Sequence, residues 1–223
     1  MFIIRRPWLL SMFKNIILFM NKIVVFFFIL ASNFCYSQDF NAGTIIGINT
    51  SQVSGDNLSG FNKLGLRIGG FVNRKFRHFD GQIELQYINK GSRELIEQNT
   101  YNEGYKFQVN YIEIPISMKK NIYKNSHVEL GFSIGHLLNW IEEYDGIDNY
   151  GIDIKKIEYS CHIGFQYKIN PNLYFNSRLS NSLSPIRPHS LNQHNSDSNV
   201  YQWNRGQYNT SISFVIKYYF LKK

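Results

Sequence analysis

Apolar and polar side chains alternate along most of this chain, and one long alternating stretch is residues 127–140, HVELGFSIGHLLNW. Successive side chains of a β-strand point to opposite faces of the sheet, so this stretch predicts a strand with two unlike faces. The apolar face comprises Val128, Leu130, Phe132, Ile134, Leu138 and Trp140, and the other face comprises His127, Glu129, Gly131, Ser133, Gly135 and Asn139. A tilted strand of about 10 residues is long enough to cross a bilayer as part of a barrel.

Seven further segments alternate in the same way, at residues 40–50, 64–73, 81–90, 105–119, 157–168, 173–183 and 208–220. The total of eight strands is even, as in single-chain bacterial outer-membrane barrels. Short connections (residues 74–80, 120–126 and 169–172) alternate with longer ones (51–63, 91–104, 141–153 and 184–206). The pattern predicts an all-β fold, an eight-stranded antiparallel up-and-down transmembrane β-barrel with its short turns in the periplasm.

The apolar parity changes within residues 105–119. Tyr105, Phe107, Val109 and Tyr111 are followed by Ile112, Ile114, Ile116 and Met118. One extra residue in a strand produces such a change, so we predict a β-bulge near residues 111–115, where Pro115 also lacks a ladder donor.

The size of the barrel decides which face points outward. The interior of an eight-stranded barrel is just wide enough for side chains to fill it. The polar face is largely small, with Gly43, Gly47, Gly65, Gly69, Gly131, Ser133, Gly135, Ser160 and Gly164. We therefore expect the large apolar face to contact lipid in the outer membrane, with an aromatic girdle at the strand ends formed by Tyr87, Tyr105, Trp140, Tyr159, Tyr167, Tyr208 and Tyr218. The alternative is a soluble periplasmic ligand carrier with the opposite orientation.

Charged residues on the inward parity predict a polar lumen, and they are Arg67, Glu84, Glu129, Glu158, Arg178 and Lys217. Unpaired charges in a dry interior cost several kcal/mol, so we expect them to form salt bridges that plug the barrel, with an ion path as the alternative. The charged residues outside the lumen differ in sign between the short turns and the long loops. Arg74, Lys75, Arg77, Lys119, Lys120 and Lys124 lie near short turns, and Glu94, Glu97, Glu103, Glu142, Glu143, Asp145, Asp148 and Asp153 lie in long loops.

Residues 1–37 have the pattern of a cleavable signal peptide. They contain no acidic residue, residues 23–31 are apolar, and Cys35 and Ser37 stand at the −3 and −1 positions of a cleavage site. Met12 and Met20 are alternative starts. A membrane anchor helix is the other interpretation, but residues 23–31 are too few to span a bilayer. The barrel domain is then residues 38–223.

The mature chain has a mild charge, because the formal +8 less the four leader cations leaves +4. The basic residues are scattered, so we expect no nucleic-acid partner. Cys161 is the single cysteine after cleavage, which excludes an internal disulfide. Zinc-finger and redox-motif spacings are absent from the sequence, and we expect no cofactor. The last strand alternates apolar residues up to Phe220 and resembles the C-terminal signal read by the barrel-assembly machinery, which is an expected partner during biogenesis.

Four stretches carry a resemblance to a known family: GINTSQVSG at 47–55, GLRIGGFVN at 65–73, QIELQYINKGS at 82–92 and NYIEIPISMK at 110–119. Their order resembles the PorT-like outer-membrane β-barrel family, across essentially all of residues 40–220. The resemblance implies the same fold and location, and the family name suggests a link to type IX secretion and a secretion-system protein partner.

Individual candidate sites are few. Asp145, Asp148 and Asp153 share a glycine-containing loop that could bind Ca²⁺, but they lack the spacing of a calcium loop. His189 and His194 lie in a polar loop and could bind adventitious metal. His136 lies on the lipid-facing parity, where a lipid-modifying barrel enzyme could use it. Glu113 belongs to the family motif and is expected to be a register or lumen group.

We predict from the sequence a non-enzymatic outer-membrane barrel with a structural or interaction role, and assign no catalytic, cofactor or metal residue. An accessory role in secretion or surface assembly is the alternative. A lipid-modifying enzyme and a soluble carrier are less favoured.

Overall fold

The computed structural model describes residues 40–56, 58, 60–94, 104–148, 153–188 and 206–220. The predicted signal peptide lies outside these residues. Phe40–Lys223 is one compact unit. Its strands are β1 (Phe40–Ser54), β2 (Lys63–Lys75), β3 (Asp80–Arg93), β4 (Tyr105–Tyr123), β5 (Ser126–Tyr144), β6 (Ile147–Asp148), β7 (Ile157–Lys168), β8 (Leu173–Ser182) and β9 (Tyr208–Tyr219). Among the described residues, no helix is long and apolar enough to cross a membrane.

Eight of these strands close into an antiparallel barrel. The order around it is β4-β3-β2-β1-β9-β8-β7-β5, and β4 pairs with β5 to complete the circle. The two-residue strand β6 pairs only with the end of β5. The predicted fold class is therefore confirmed.

Short turns join β2 to β3, β4 to β5 and β7 to β8, and we call their end of the barrel the short-turn rim. The longer connections meet at the opposite end, the long-connection rim. Strands β4 and β5 each contain 19 residues, nearly twice the number that a tilted strand needs to cross hydrocarbon. They are therefore long enough to extend beyond the bilayer.

The outward face carries a belt of large apolar side chains. Phe132 is 67% exposed, Leu85 58% and Ile46 56%. The alternating burial along every long strand confirms that the bulky face is outside, which is opposite to what a soluble carrier requires. Tyr159, Tyr167 and Tyr218 are exposed on this face, as predicted for girdle residues.

The predicted bulge is confirmed in its level, next to Tyr111, but it lies in the partner strand β5 rather than in β4. Tyr105, Phe107, Val109 and Tyr111 are all buried, and β4 keeps one parity and an unbroken register with β3 at Asn110 and Tyr111. The register shift lies in the pairing with β5, where Asn110 faces Asn139 and Tyr111 faces Leu137. The extra residue is therefore Leu138 of β5. The apolar side chains of β4 change face along the strand. Those of residues 114–118 lie on the outer, lipid-facing surface, whereas those of residues 105–111 pack in an internal core.

This bulge also corrects the positions of two residues. Beyond Leu138 the parity of β5 reverses, so Trp140 packs against the buried internal cluster and Asn139 is exposed. The Asn139 Oδ1 accepts a hydrogen bond of 2.5 Å from Asn110. Tyr105 is buried as well, so neither Trp140 nor Tyr105 belongs to the aromatic girdle.

Candidate functional site

The centre of the lumen holds a cluster of five charged side chains. The Glu84 carboxylate accepts hydrogen bonds from Arg67 at 3.1 Å, Arg178 at 2.7 Å and Lys217 at 3.1 Å. Glu129 pairs with Arg178 and, at 3.3 Å, with Lys217. All five are at most 3% exposed. Two carboxylates thus share three cations, and each ion has at least one partner of opposite sign.

A second cluster forms around Lys90. Its ammonium lies 2.5 Å from Glu113 Oε1 and 2.9 Å from Glu158 Oε1. Ser182 and Asn209 each donate a 2.8 Å hydrogen bond to Glu158. Glu113 is therefore a lumen group, which is one of the two roles expected for it from the sequence. The sequence placed Lys90 on the inward parity but did not identify it as a partner of these carboxylates.

Several of these pairs cross the lumen, whereas Arg67–Glu84 and Lys90–Glu113 join neighbouring strands. Arg178 on β8 and Glu84 on β3 are separated by three strands in either direction around the barrel. Together the two clusters contain four carboxylates and four cations, so their formal charges cancel. The predicted salt-bridged interior is confirmed in the described residues, and the six predicted lumen charges all take part in it.

An apolar core lies inside the barrel toward the long-connection rim. Phe107, Val109, Tyr111, Val53 and Ile88 are at most 2% exposed, and Ile154 and Ile186 from two long connections pack against them. Below the charge clusters, toward the short-turn rim, Phe71, Tyr174 and Tyr219 form an aromatic group with ring centroids 4.7–4.8 Å apart. Small residues line the rest of the wall, and at Gly43 an added Cβ would approach the Phe71 ring to 2.5 Å.

A buried ion pair ties one long connection to this upper core. Arg187 donates to both oxygens of Glu142 at 2.8 and 2.9 Å, and its guanidinium lies 4.3 Å from the centre of the Phe107 ring. Burial lowers the pKa of Arg187, but the hydrogen bonds and charge interactions with Glu142 and Tyr105 together outweigh burial, so the pKa is raised. From the sequence Glu142 is expected in a long loop, whereas it lies near the end of β5 and is 5% exposed. The bulge at Leu138 turns it inward.

The other sequence candidates have simple structural positions. Asp145 and Gly146, with φ of 52° and 77°, form the two-residue turn between β5 and β6, and Asp145 Oδ1 accepts a hydrogen bond from the Gly104 N–H at 2.6 Å. In the described residues, no three His, Cys, Asp or Glu side chains gather as a metal site. His136 is exposed on the outer face. His189 and His194 lie outside the described residues.

Comparison with known proteins agrees with this geometry. A family model described as the outer membrane protein beta-barrel domain matches residues 36–187, about two thirds of the chain. The chain belongs to this family. Its location is accordingly the outer membrane. The PorT-like proteins are a narrower group, and this family model does not assign the chain to them.

Solved structures of two outer-membrane barrels are similar to this member of the family. Neisserial surface protein A aligns at a TM-score of 0.51 and 9% identity, covering 80% of this chain and 96% of that chain. Ail, the attachment invasion locus protein of Yersinia pestis, aligns at a TM-score of 0.45 and 12% identity, covering 81% and 98%. At such identities the likeness concerns the fold alone. No curated protein matches the sequence.

Proposed function

We propose that this protein is a non-enzymatic outer-membrane barrel with a closed lumen, which acts structurally or through its long-connection rim. The supporting observation is the set of salt bridges that cross the interior. A conducting pore needs a path lined by hydrated polar groups. In this barrel eight buried charges neutralise one another, and an apolar core lies between them and the long-connection rim.

Single-channel recording of the purified protein in planar bilayers tests the closed lumen. We expect no stable large conductance. The double variant Glu142→Ala/Arg187→Ala removes the upper ion pair but leaves the cross-lumen pairs, and it is also expected not to conduct. Stable unit conductances from the wild-type protein would refute the proposal, and conductance from the double variant alone would show that the upper ion pair is the barrier.

The second candidate is an accessory component of protein secretion or surface assembly, of the PorT-like type. It is supported by the resemblance of residues 82–92 and 110–119 to that family, and by strands long enough to extend past the bilayer. A photo-crosslinking residue at Ile147, which is 73% exposed in β6, is expected to capture a protein partner in cells. The same residue at Phe132 in the lipid belt is the control. Equal protein capture at both positions, or at neither, argues for the structural role.

The partners proposed for the barrel itself are outer-membrane lipid along the apolar belt and the barrel-assembly machinery, which would read the terminal strand. The rival activity, lipid modification, would use His136. Ser133 lies on the opposite, buried face of β5 and shares a 2.5 Å hydrogen bond with Ser160, so it is not placed to assist. We expect His136→Ala to leave the lipid A profile of cells unchanged; an altered profile would support the enzyme.

A further inference from the structure

A recess opens at the short-turn rim, below the aromatic group. Its volume is about 340 Å³, and its lining comes from the turn between β2 and β3 and from the nearby ends of β4, β5, β7, β8 and β9. In barrels of this kind the short turns face the periplasm. The recess is therefore open to soluble periplasmic molecules. None of the eight charges of the two lumen clusters lines it, and Gln82 links its Lys119 to Glu84 of the central cluster.

Lys119 is the feature of this recess that calls for a ligand. Its side chain is buried, with the residue 2% exposed, and its ammonium donates to Gln82 Oε1 at 2.5 Å and to Tyr219 Oη at 3.2 Å. Both acceptors are neutral, and no carboxylate of the described residues lies within 4 Å of it. Lys90 and Lys217, by contrast, each contact two carboxylates. An ammonium has three N–H donors, and burying it without a counter-charge is costly.

The remaining lining suits an anion that also carries a hydrogen-bond donor. Lys75 and Arg77 add two positive charges against the single carboxylate of Asp80. Gln166 is 2% exposed, and its Oε1 accepts no hydrogen bond from the part of the chain that the structure describes. A ligand with an oxyanion for Lys119 and an N–H or O–H for Gln166 would satisfy both groups.

We propose that this recess binds a small oxyanion, a carboxylate or phosphate group, with Lys119 as its principal contact. The volume lies at the lower end of the range for ligand pockets, which suits a group of this size. A peptide C-terminus supplies a carboxylate next to an N–H, and a protonated phosphate supplies its own O–H. The proposal is independent of whether the lumen conducts.

Titration calorimetry on the folded protein in a non-ionic maltoside detergent, at low ionic strength, tests the proposal. The probes are inorganic phosphate, the dipeptide Ala-Ala and its C-terminal amide. We expect saturable binding of phosphate or of the free dipeptide, with the amide inactive. Phosphate binding alone assigns a phosphate group, dipeptide binding alone assigns a carboxylate, and mutual competition assigns both to one site. Absence of saturable binding by either probe overturns the proposal.

Matched variants locate the site. Lys119→Met is expected to weaken binding at least tenfold, whereas Lys120→Met, whose side chain is exposed on the opposite face of β4, should change affinity less than twofold. Gln166→Glu supplies a carboxylate from the chain itself and should also weaken binding at least tenfold. Folding of each variant is checked by its mobility on a gel with and without boiling. If Lys119→Met does not fold, Gln166→Glu decides, and unchanged affinity in whichever of the two folds refutes the assignment.

Discussion

Single glycines determine how closely the inner faces of neighbouring strands approach. At Gly131 an added Cβ would contact the Ile116 backbone oxygen and come within 2.6 Å of His162 Nε2. At Gly70 the nearest atom to an added Cβ is the Gly43 oxygen at 3.5 Å, an ordinary contact. The two glycines occupy similar extended backbone but differ in the space beside them.

We therefore expect Gly131→Ala to lower the free energy of unfolding by about 1–3 kcal/mol, the usual cost of overpacking a filled interior. Gly70→Ala should change it by less than about 0.5 kcal/mol, as is usual where no neighbour is displaced. Urea unfolding in lipid vesicles, followed by gel mobility, measures both. Equal effects of the two substitutions would contradict the packing argument.

The lipid belt is tested at Phe132, which lies in the middle of the exposed apolar run of β5. Phe132→Arg should cost about 2–4 kcal/mol of folding free energy, since an arginine near the bilayer midplane loses its hydration. Ile147→Arg is the control, because Ile147 is more exposed but lies in β6 beyond the barrel wall, and its cost should be below about 1 kcal/mol in line with the fall toward the interface. A similar small cost at both positions would argue against the membrane belt.

At the scale of the strand, alternation predicted the eight elements, which face of each is buried and the level of the bulge, but it assigned the bulge to the wrong strand. Parity within β4 changes at Tyr111, which suggested an insertion there. The insertion is in the partner strand, and the change in β4 reflects the level at which lipid ends and the internal core begins. Trp140 and Glu142 could not be assigned correctly from sequence, because one unpaired residue reverses every later side chain of the strand.

Deleting Leu138 should therefore act far beyond the deleted side chain. It would turn Trp140 and Glu142 outward and leave Arg187 buried without its carboxylate. We expect a loss of at least about 3 kcal/mol, the usual cost of breaking a buried ion pair. Leu138→Ala keeps the extra residue and removes only an exposed side chain, so it should cost less than about 1 kcal/mol. Similar unfolding midpoints for the deletion and the substitution would show that the bulge does not set the facing of these residues.

For the whole molecule, the sequence predicted that charges would pair in the lumen but not how they pair. Six of the eight members were identified by parity alone. The pairing of Lys90 with Glu113 and Glu158 joins residues 23 and 68 positions apart, and it depends on which strands face each other across the closed barrel. Alternation gives the face of a side chain, whereas closure and stagger of the barrel decide its neighbour. Lys119 also points inward, on the parity opposite Met118, although its place beside a short turn groups it with the turn cations in the sequence.

Charge neutrality of the lumen predicts that a second mutation can compensate for the first. Glu129→Gln leaves the two clusters with one excess positive charge and should cost about 3–5 kcal/mol of folding free energy. Adding Lys217→Met restores balance, since three carboxylates and three cations remain, and should recover at least about 1 kcal/mol of that loss.

The partly exposed pair Lys106 and Glu143, 3.2 Å apart, is the control for this double-mutant cycle. Lys106→Met and Glu143→Gln, singly or together, should each change stability by less than about 1 kcal/mol, because solvent screens that pair. Denaturant unfolding of these five variants, and of Lys217→Met alone, measures the coupling energy of each pair. If the costs of Glu129→Gln and Lys217→Met simply add, the lumen charges act as separate polar groups. If the double variant is more stable than Glu129→Gln, the interior is one neutral network whose members depend on one another.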